Sequence, residues 1–135
     1  MDFGNFGVVS FTKEAKSVAF VDSLAEGKLM GTVCKKCGKK YFPPRMDCAQ
    51  CLDSDVEWFE IKGPGKLVTF SKVEFGPSGF EEVQPYVLGI VDFPEGVRVL
   101  AKISNKVDFE SIKAGMELKP VPQKLTEEKL TYEFE

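Results

Sequence analysis

Apolar residues recur at three- and four-residue intervals near the N-terminus, and alternate with polar ones over much of the remaining chain. The first pattern, carried by Ser17, Phe20, Val21, Leu24, Ala25 and Lys28, predicts a helix over residues 13–26. Thr12 is placed as its N-cap, and Glu14 sits in the first turn, where the backbone dipole favours an anion. Gly27 stands where a left-handed residue would end it. Val18 and Ala19 widen the apolar face, so Val18, Phe20, Val21 and Leu24 are candidates for docking onto a partner; packing on the chain's own body is the alternative. Strands are predicted over 29–33 and 56–61, on either side of a cysteine cluster. Beyond the Gly63-Pro64-Gly65 turn, further strands are predicted over 66–75, 86–93, 97–103 and 116–121, with a last one at the alternating Leu130, Tyr132 and Phe134. A short helical stretch over 108–114, stopped by Gly115, interrupts them.

Three strands, a short helix and two strands is the order of a five-stranded OB barrel. The fold class is therefore mainly β: an N-terminal helical segment (1–28), a rubredoxin-like zinc ribbon (29–62) and an OB-fold domain (63–135). Pro94-Glu95-Gly96 is a tight-hairpin signal between two barrel strands. Residues 76–85, GPSGFEEVQP, form a long connection of the kind that is either mobile or functional.

Composition narrows the class. Apolar residues make up 43% and charged residues 29% of the 135, an ordinary globular balance. No apolar run approaches the roughly 20 residues of a membrane span. The N-terminal MDFGNFG has neither the basic nor the apolar segment of an export signal, so a cytoplasmic protein is expected. The net charge of −3 conceals an asymmetry. Residues 28–46 carry six cations (Lys28, Lys35, Lys36, Lys39, Lys40, Arg45) and no acid, whereas the remainder carries 12 cations against 21 acids. A basic island on an acidic body suits a local anion such as a phosphate better than a long polyanion. The plainer reading is that these lysines solvate a small ribbon with little core.

The chemistry concentrates in CKKCGKKYFPPRMDCAQC, which holds all four cysteines as C-x2-C-x10-C-x2-C: Cys34, Cys37, Cys48 and Cys51. Two such pairs can aim four thiolates at one centre, and tetrahedral sulfur coordination suits Zn2+, one per chain. All four sulfurs would then be ligands, which closes the site and makes it structural. Redox iron is the rival metal, although the ten-residue gap is closer to zinc ribbons than to rubredoxins. A pair of disulfides is the remaining possibility. Gly38 fits a tight turn after Cys37, while the second knuckle, CAQCL, has no such glycine and is expected to be less regular. Between the pairs, Arg45 is placed either to recognise phosphate or carboxylate or to pair with Asp47. The chain has no histidine, which removes the commonest general base and rules out Ser-His-Asp or Cys-His catalysis.

The succession GKLMGTVCKKCGKKYFPPRMDCAQC, GPGKLVTFSKV, PYVLGIVDFPEGVRVLAKI and AGMELKPV resembles the DUF35 family of zinc-ribbon plus OB-fold, acyl-CoA-associated proteins, from about Phe11 to Phe134. The resemblance implies a small partner of thiolase-like enzymes that supports assembly, CoA-thioester binding or substrate transfer, the catalytic residues lying on the partner. One branch with this resemblance acts with an aryl-succinyl-CoA thiolase in anaerobic aromatic degradation. On the residues, Lys35, Lys36, Lys39, Lys40 and Arg45 are candidate contacts for CoA phosphates, and Ser78 and Phe80 candidates to line an acyl or pantetheine channel. The competing function is single-stranded nucleic-acid binding, which both modules serve elsewhere. Phe70, Lys72 and Phe75 give a trace of the required pattern, opposed by Asp92, Glu95 and the acidic total.

Overall fold

The computed structural model describes residues 6–7, 16–127 and 129–135, so the cap anticipated at Thr12 and Glu14 lies outside the described residues. A 3-10 turn at Lys16–Val18 leads into helix α1, Ala19–Ala25. The α-helix starts later than expected: Val18 occupies its cap position and has no side-chain acceptor to offer. Its end is as anticipated. Gly27 adopts φ 87°, and the amides of Gly27 and Lys28 donate to the carbonyls of Leu24 (3.1 Å) and Ser23 (2.9 Å). These two bonds satisfy carbonyls that the last helical turn leaves without partners.

The apolar face of α1 does not wait for a partner. Phe20, Val21 and Leu24 are fully buried in the chain's own core, and the helix packs against one strand of each sheet. Val18 is half-buried beside them. Of the two readings of this stripe, the structure shows packing on the chain's own body, with the helix set between β1 and β9.

The first sheet has three antiparallel strands in the order β2 (Lys40–Tyr41), β1 (Met30–Cys34), β3 (Val56–Glu60). The second has six: β4 (Gly65–Val73), β5 (Tyr86–Asp92), β6 (Arg98–Ile103), β7 (Glu117–Leu118), β8 (Pro120–Lys124) and β9 (Leu130–Phe134), in the spatial order β7-β4-β5-β6-β9-β8. Only Lys119 separates β7 from β8. Its amide donates to the Glu135 carbonyl at 2.7 Å and its carbonyl accepts from the Glu135 amide at 2.9 Å, continuing the β8–β9 ladder to the bend. One bent strand thus pairs with β4 at one end and β9 at the other, and the sheet nearly closes into a five-stranded OB barrel. The helical stretch expected over 108–114 is a single 3-10 turn, Phe109–Ser111, N-capped by Asp108.

Strand alternation sorts the side chains. On β6, Val99, Ala101 and Ile103 point into the barrel with Val91, Leu67, Leu118 and Phe134, all buried. Arg98, Leu100 and Lys102 therefore lie on its outer face. A register shift between Leu67 and Thr69 bends β4, as a bulge in a small barrel does.

The hairpin tip between β5 and β6 ties barrel to ribbon. One carboxylate oxygen of Glu95 accepts from the amides of Lys62 and Gly63, both at 2.9 Å. Lys40 Nζ, from the ribbon, donates to the Glu95 carbonyl at 2.6 Å and lies 5.1 Å from the centre of the Phe59 ring. Gly63 is required at this joint, since it sits at φ 70° and a Cβ would come within 3.1 Å of Phe93 and Pro120. Glu95→Ala should destabilise the protein by about 1–3 kcal/mol, because both amides lose a charged acceptor. Urea unfolding checks this, and an unchanged midpoint would show that the joint is held by other contacts.

Candidate metal centre and ligand cavity

The ribbon brings together the four cysteines that are remote in sequence. Cys34 ends β1, where the ladder to β3 aligns it with Val56. Its amide donates to the Lys39 carbonyl (2.9 Å) and its carbonyl accepts from Gly38 (2.8 Å), which curls the first knuckle around the sulfur. The second knuckle repeats this bond for bond. The Cys48 amide donates to Asp53 (2.9 Å), and the Cys48 carbonyl accepts from Leu52 (2.9 Å). Both turns need a left-handed residue after the second cysteine: Gly38 takes φ 77° and Leu52 takes φ 54°. The expectation of a less regular second knuckle is thus corrected. The geometry is kept and a leucine bears the strain, with 86% of its surface exposed.

The four Sγ atoms lie within 4.8 Å of one another. Cys37 and Cys48 are 3.7 Å apart at sulfur, against an edge of about 3.8 Å for a tetrahedron with Zn–S bonds of about 2.3 Å. All four cysteines are free, so no disulfide is formed. The cluster is electrostatically poised for a dication. The Tyr41 hydroxyl, 3.3 Å from Cys48 Sγ, is the main reason that this thiol falls to about 6, and the Cys51 amide adds to it. Cys51 is pushed up to about 12, chiefly by its hydrogen bond with Cys37 and then by burial. Cys48 and Cys51 thus part with their protons very unequally, and a bound cation would favour the thiolate at both. When bound, zinc supplies cross-linking of the ribbon and no open coordination position.

Tyr41 also accepts from the Ala49 amide at 3.0 Å, so its ring is held at the hydroxyl end. Lys39 Nζ and the Arg45 guanidinium lie 5.7 and 5.4 Å from its centre. Of the predicted basic contacts, Lys36, Lys39 and Arg45 are exposed around this knuckle. Lys35 pairs with Asp55 at 3.4 Å, and Lys40 donates to the Glu95 carbonyl. Asp47 accepts from Ser54, and the backbone of Arg45 is fastened to the Thr32 hydroxyl through both its amide (2.9 Å) and its carbonyl (2.7 Å). The arc on which Arg45 sits is therefore rigid.

A cavity of about 200 Å³ lies on the outer face of the barrel, over β5, β6 and β9. The loop over 76–85 walls one side: Phe80 lines the cavity, whereas Ser78 is exposed and does not. Gln84 closes the loop base by accepting from the Gly76 amide at 2.6 Å. Leu88, Leu100, Lys102, Tyr132 and Glu133 also line it, alongside Phe6, Tyr86 and Thr131, and were not anticipated. Alternation along β6 could have flagged Leu100 as an apolar residue on an outer face; Glu133 gave no signal until its pairing with β6 was known. Three rings carry this wall to the ribbon: Tyr132 lies 5.4 Å from Phe42 and 6.1 Å from Phe20, and those two are 6.0 Å apart. Burial pushes the Tyr132 phenol up to about 12, so it stays neutral.

Comparison with known proteins agrees with this architecture. Residues 21–57 match the family described as the ChsH2 rubredoxin-like zinc ribbon domain, and residues 58–123 its C-terminal OB-fold domain. A DUF35 domain-containing scaffold protein of Pyrococcus furiosus is 40% identical over 100 residues, covering 74% of this chain and 72% of the relative. The chain belongs to the DUF35 family. A benzoylsuccinyl-CoA thiolase subunit, BbsA, of Geobacter metallireducens is 32% identical to this DUF35 protein over 109 residues, covering 78% of the chain and 73% of the relative. Among solved structures, the Ltp2-ChsH2(DUF35) aldolase superposes with a TM-score of 0.77 at 20% identity, over 92% of this chain and 96% of that one, and shows the shared fold. With the ribbon family and the sulfur geometry together, the metal is one structural zinc.

Two outcomes are expected at this centre. Tyr41→Phe removes a donor to a ligand sulfur, so zinc transfer to a chromogenic chelator should quicken tenfold or more; an unchanged rate would show the hydroxyl is idle. Leu52→Gly relieves a left-handed leucine costing about 1–2 kcal/mol, partly offset by glycine's greater chain entropy of about 0.5–1 kcal/mol. A net gain of about 0.5–1 kcal/mol should appear as a higher denaturant midpoint in the zinc-loaded protein.

Proposed function

We propose that this DUF35 protein is a non-catalytic subunit of an acyl-CoA-processing complex, supporting a thiolase-type enzyme by assembly and by holding part of the CoA thioester. The observation that carries the reading is the apolar cavity on the outer strands of the barrel. Barrels that bind single strands present cations and stacking rings on that surface. Here Leu88, Leu100 and Phe80 line the cavity, and Lys102, the one cation among its described lining residues, is paired with Glu133 at 3.4 Å. An acyl chain suits such a surface and a polyanion does not. The absence of histidine and the commitment of every cysteine to metal leave no nucleophile-and-base pair for thiolase chemistry, which fits an accessory role. Similarity to a thiolase subunit supports the choice of partner.

In this reading the phosphates of CoA meet Lys36, Lys39 and Arg45, and the thioester end runs past Phe42 and Tyr132 toward the cavity. Phe42 stands three residues before Arg45, so ribbon and cavity wall form one surface. The test is isolation of the complex from its native host. An acyl-CoA-processing enzyme should copurify, and reversing Lys36, Lys39 and Arg45 to Glu should weaken CoA binding by the complex at least tenfold, with the salt dependence of binding reduced. A chain recovered alone, or CoA affinity indifferent to the three reversals, would overturn the assembly or the phosphate assignment respectively.

A further inference from the structure

The cavity has a chemistry of its own, and its walls narrow the acyl groups that fit; this inference rests on the reading above. About 200 Å³ is somewhat more than a 150 Å³ apolar cavity known to hold benzene, so the space takes one six-membered ring with a few further atoms. Four aromatic side chains stand in the lining. Phe80 and Tyr86 lie 5.8 Å apart at its loop side, and Tyr132 and Phe6, stacked at 6.1 Å, stand on the other. Offset and edge contacts to such rings favour an aromatic occupant over a flexible chain of equal volume.

The charged part is a single pair, beside the hydroxyls of Thr131, Tyr86 and Tyr132. Lys102 and Glu133 are register partners on the parallel strands β6 and β9, 3.4 Å apart, with only 23% and 11% of their side chains exposed. A cross-strand ion pair would stabilise the sheet wherever it stood, but this one lines a largely apolar hollow. The pair is neutral as a whole, so it offers no net attraction to a carboxylate or phosphate. A carboxylate reaching Lys102 would stand beside the Glu133 carboxylate in a poorly solvated place, where the two like charges repel. An uncharged ketone, hydroxyl or amide meets no such penalty: lysine carries three N–H donors and one salt bridge leaves others for a ligand oxygen. We propose that the cavity selects an acyl group built as one aromatic ring with an uncharged oxygen function, the oxygen accepting from Lys102.

Three small probes separate the terms on the zinc-loaded full chain: 4-phenylbutan-2-one (ring and ketone), butylbenzene (ring alone) and 3-phenylpropanoate (ring and charge). Binding is followed by titration calorimetry and by shifts of the Leu88 and Leu100 methyl resonances. The ketone should bind at least tenfold more tightly than the carboxylate. In Lys102→Met/Glu133→Leu, which removes both charges together and so avoids leaving one unpaired, the ketone-to-butylbenzene affinity ratio should fall about tenfold. A ratio unchanged by the double substitution, or a carboxylate that binds most tightly, overturns the selectivity while leaving an acyl cavity in place. Failure of all three to bind at millimolar concentration, with methyl shifts absent, overturns the acyl reading of the cavity as well.

Discussion

Three aromatic rings from distant parts of the chain, Phe20, Phe42 and Tyr132, meet edge to face within 5.4–6.1 Å, and most of what is specific to this molecule passes through that contact. Phe20 comes from the helix, Phe42 from the loop between the cysteine pairs, and Tyr132 from the last barrel strand. Each ring has a second task. Phe20 is core, Tyr132 is cavity wall, and Phe42 begins the arc that ends at Arg45. The loop bearing Phe42 can present its ring only if both its ends are fixed, and the sulfur cluster fixes them. Zinc thus acts at a distance from any ligand, by making a short ribbon with few buried residues rigid enough to dock.

The basic island illustrates how a charge run divides once it is folded. Six cations without an acid suggest one anion site, but Lys40 reaches across to the barrel hairpin and Lys35 to Asp55. Lys36, Lys39 and Arg45 remain on the surface, two of them against the ring whose hydroxyl touches Cys48. The metal, the tyrosine and the cations are therefore one mechanical unit. Any anion held there would be held by groups that the zinc site keeps in place.

The barrel shows the same economy. Its inner face is filled by Val91, Val99, Ile103 and Phe134, all buried. Exposed leucines are expensive on the outer face, and Leu100 is only partly covered. A loop latched by Gln84 and an aromatic wall turn that liability into a hollow with one charged pair.

By itself the chain's order of residues determined the elements whose causes are local. Cysteine spacing set the metal ligands, Gly27 set the helix end, and period-two alternation set the barrel strands and their inward faces. The absence of histidine likewise excluded whole classes of catalysis. Tertiary structure decided everything that depends on which segments become neighbours. It sank the helix's apolar stripe into the chain's own core, because the helix is set between β1 and β9. It put Leu52 in a glycine's conformation, because the knuckle's backbone bonds outweigh the strain on one exposed residue. It joined Lys102 to Glu133 through a parallel strand pair that no local pattern announces, and it turned Lys40 toward the barrel hairpin. Pairings of this kind are long-range, and a one-residue change of register would reverse which face each side chain occupies.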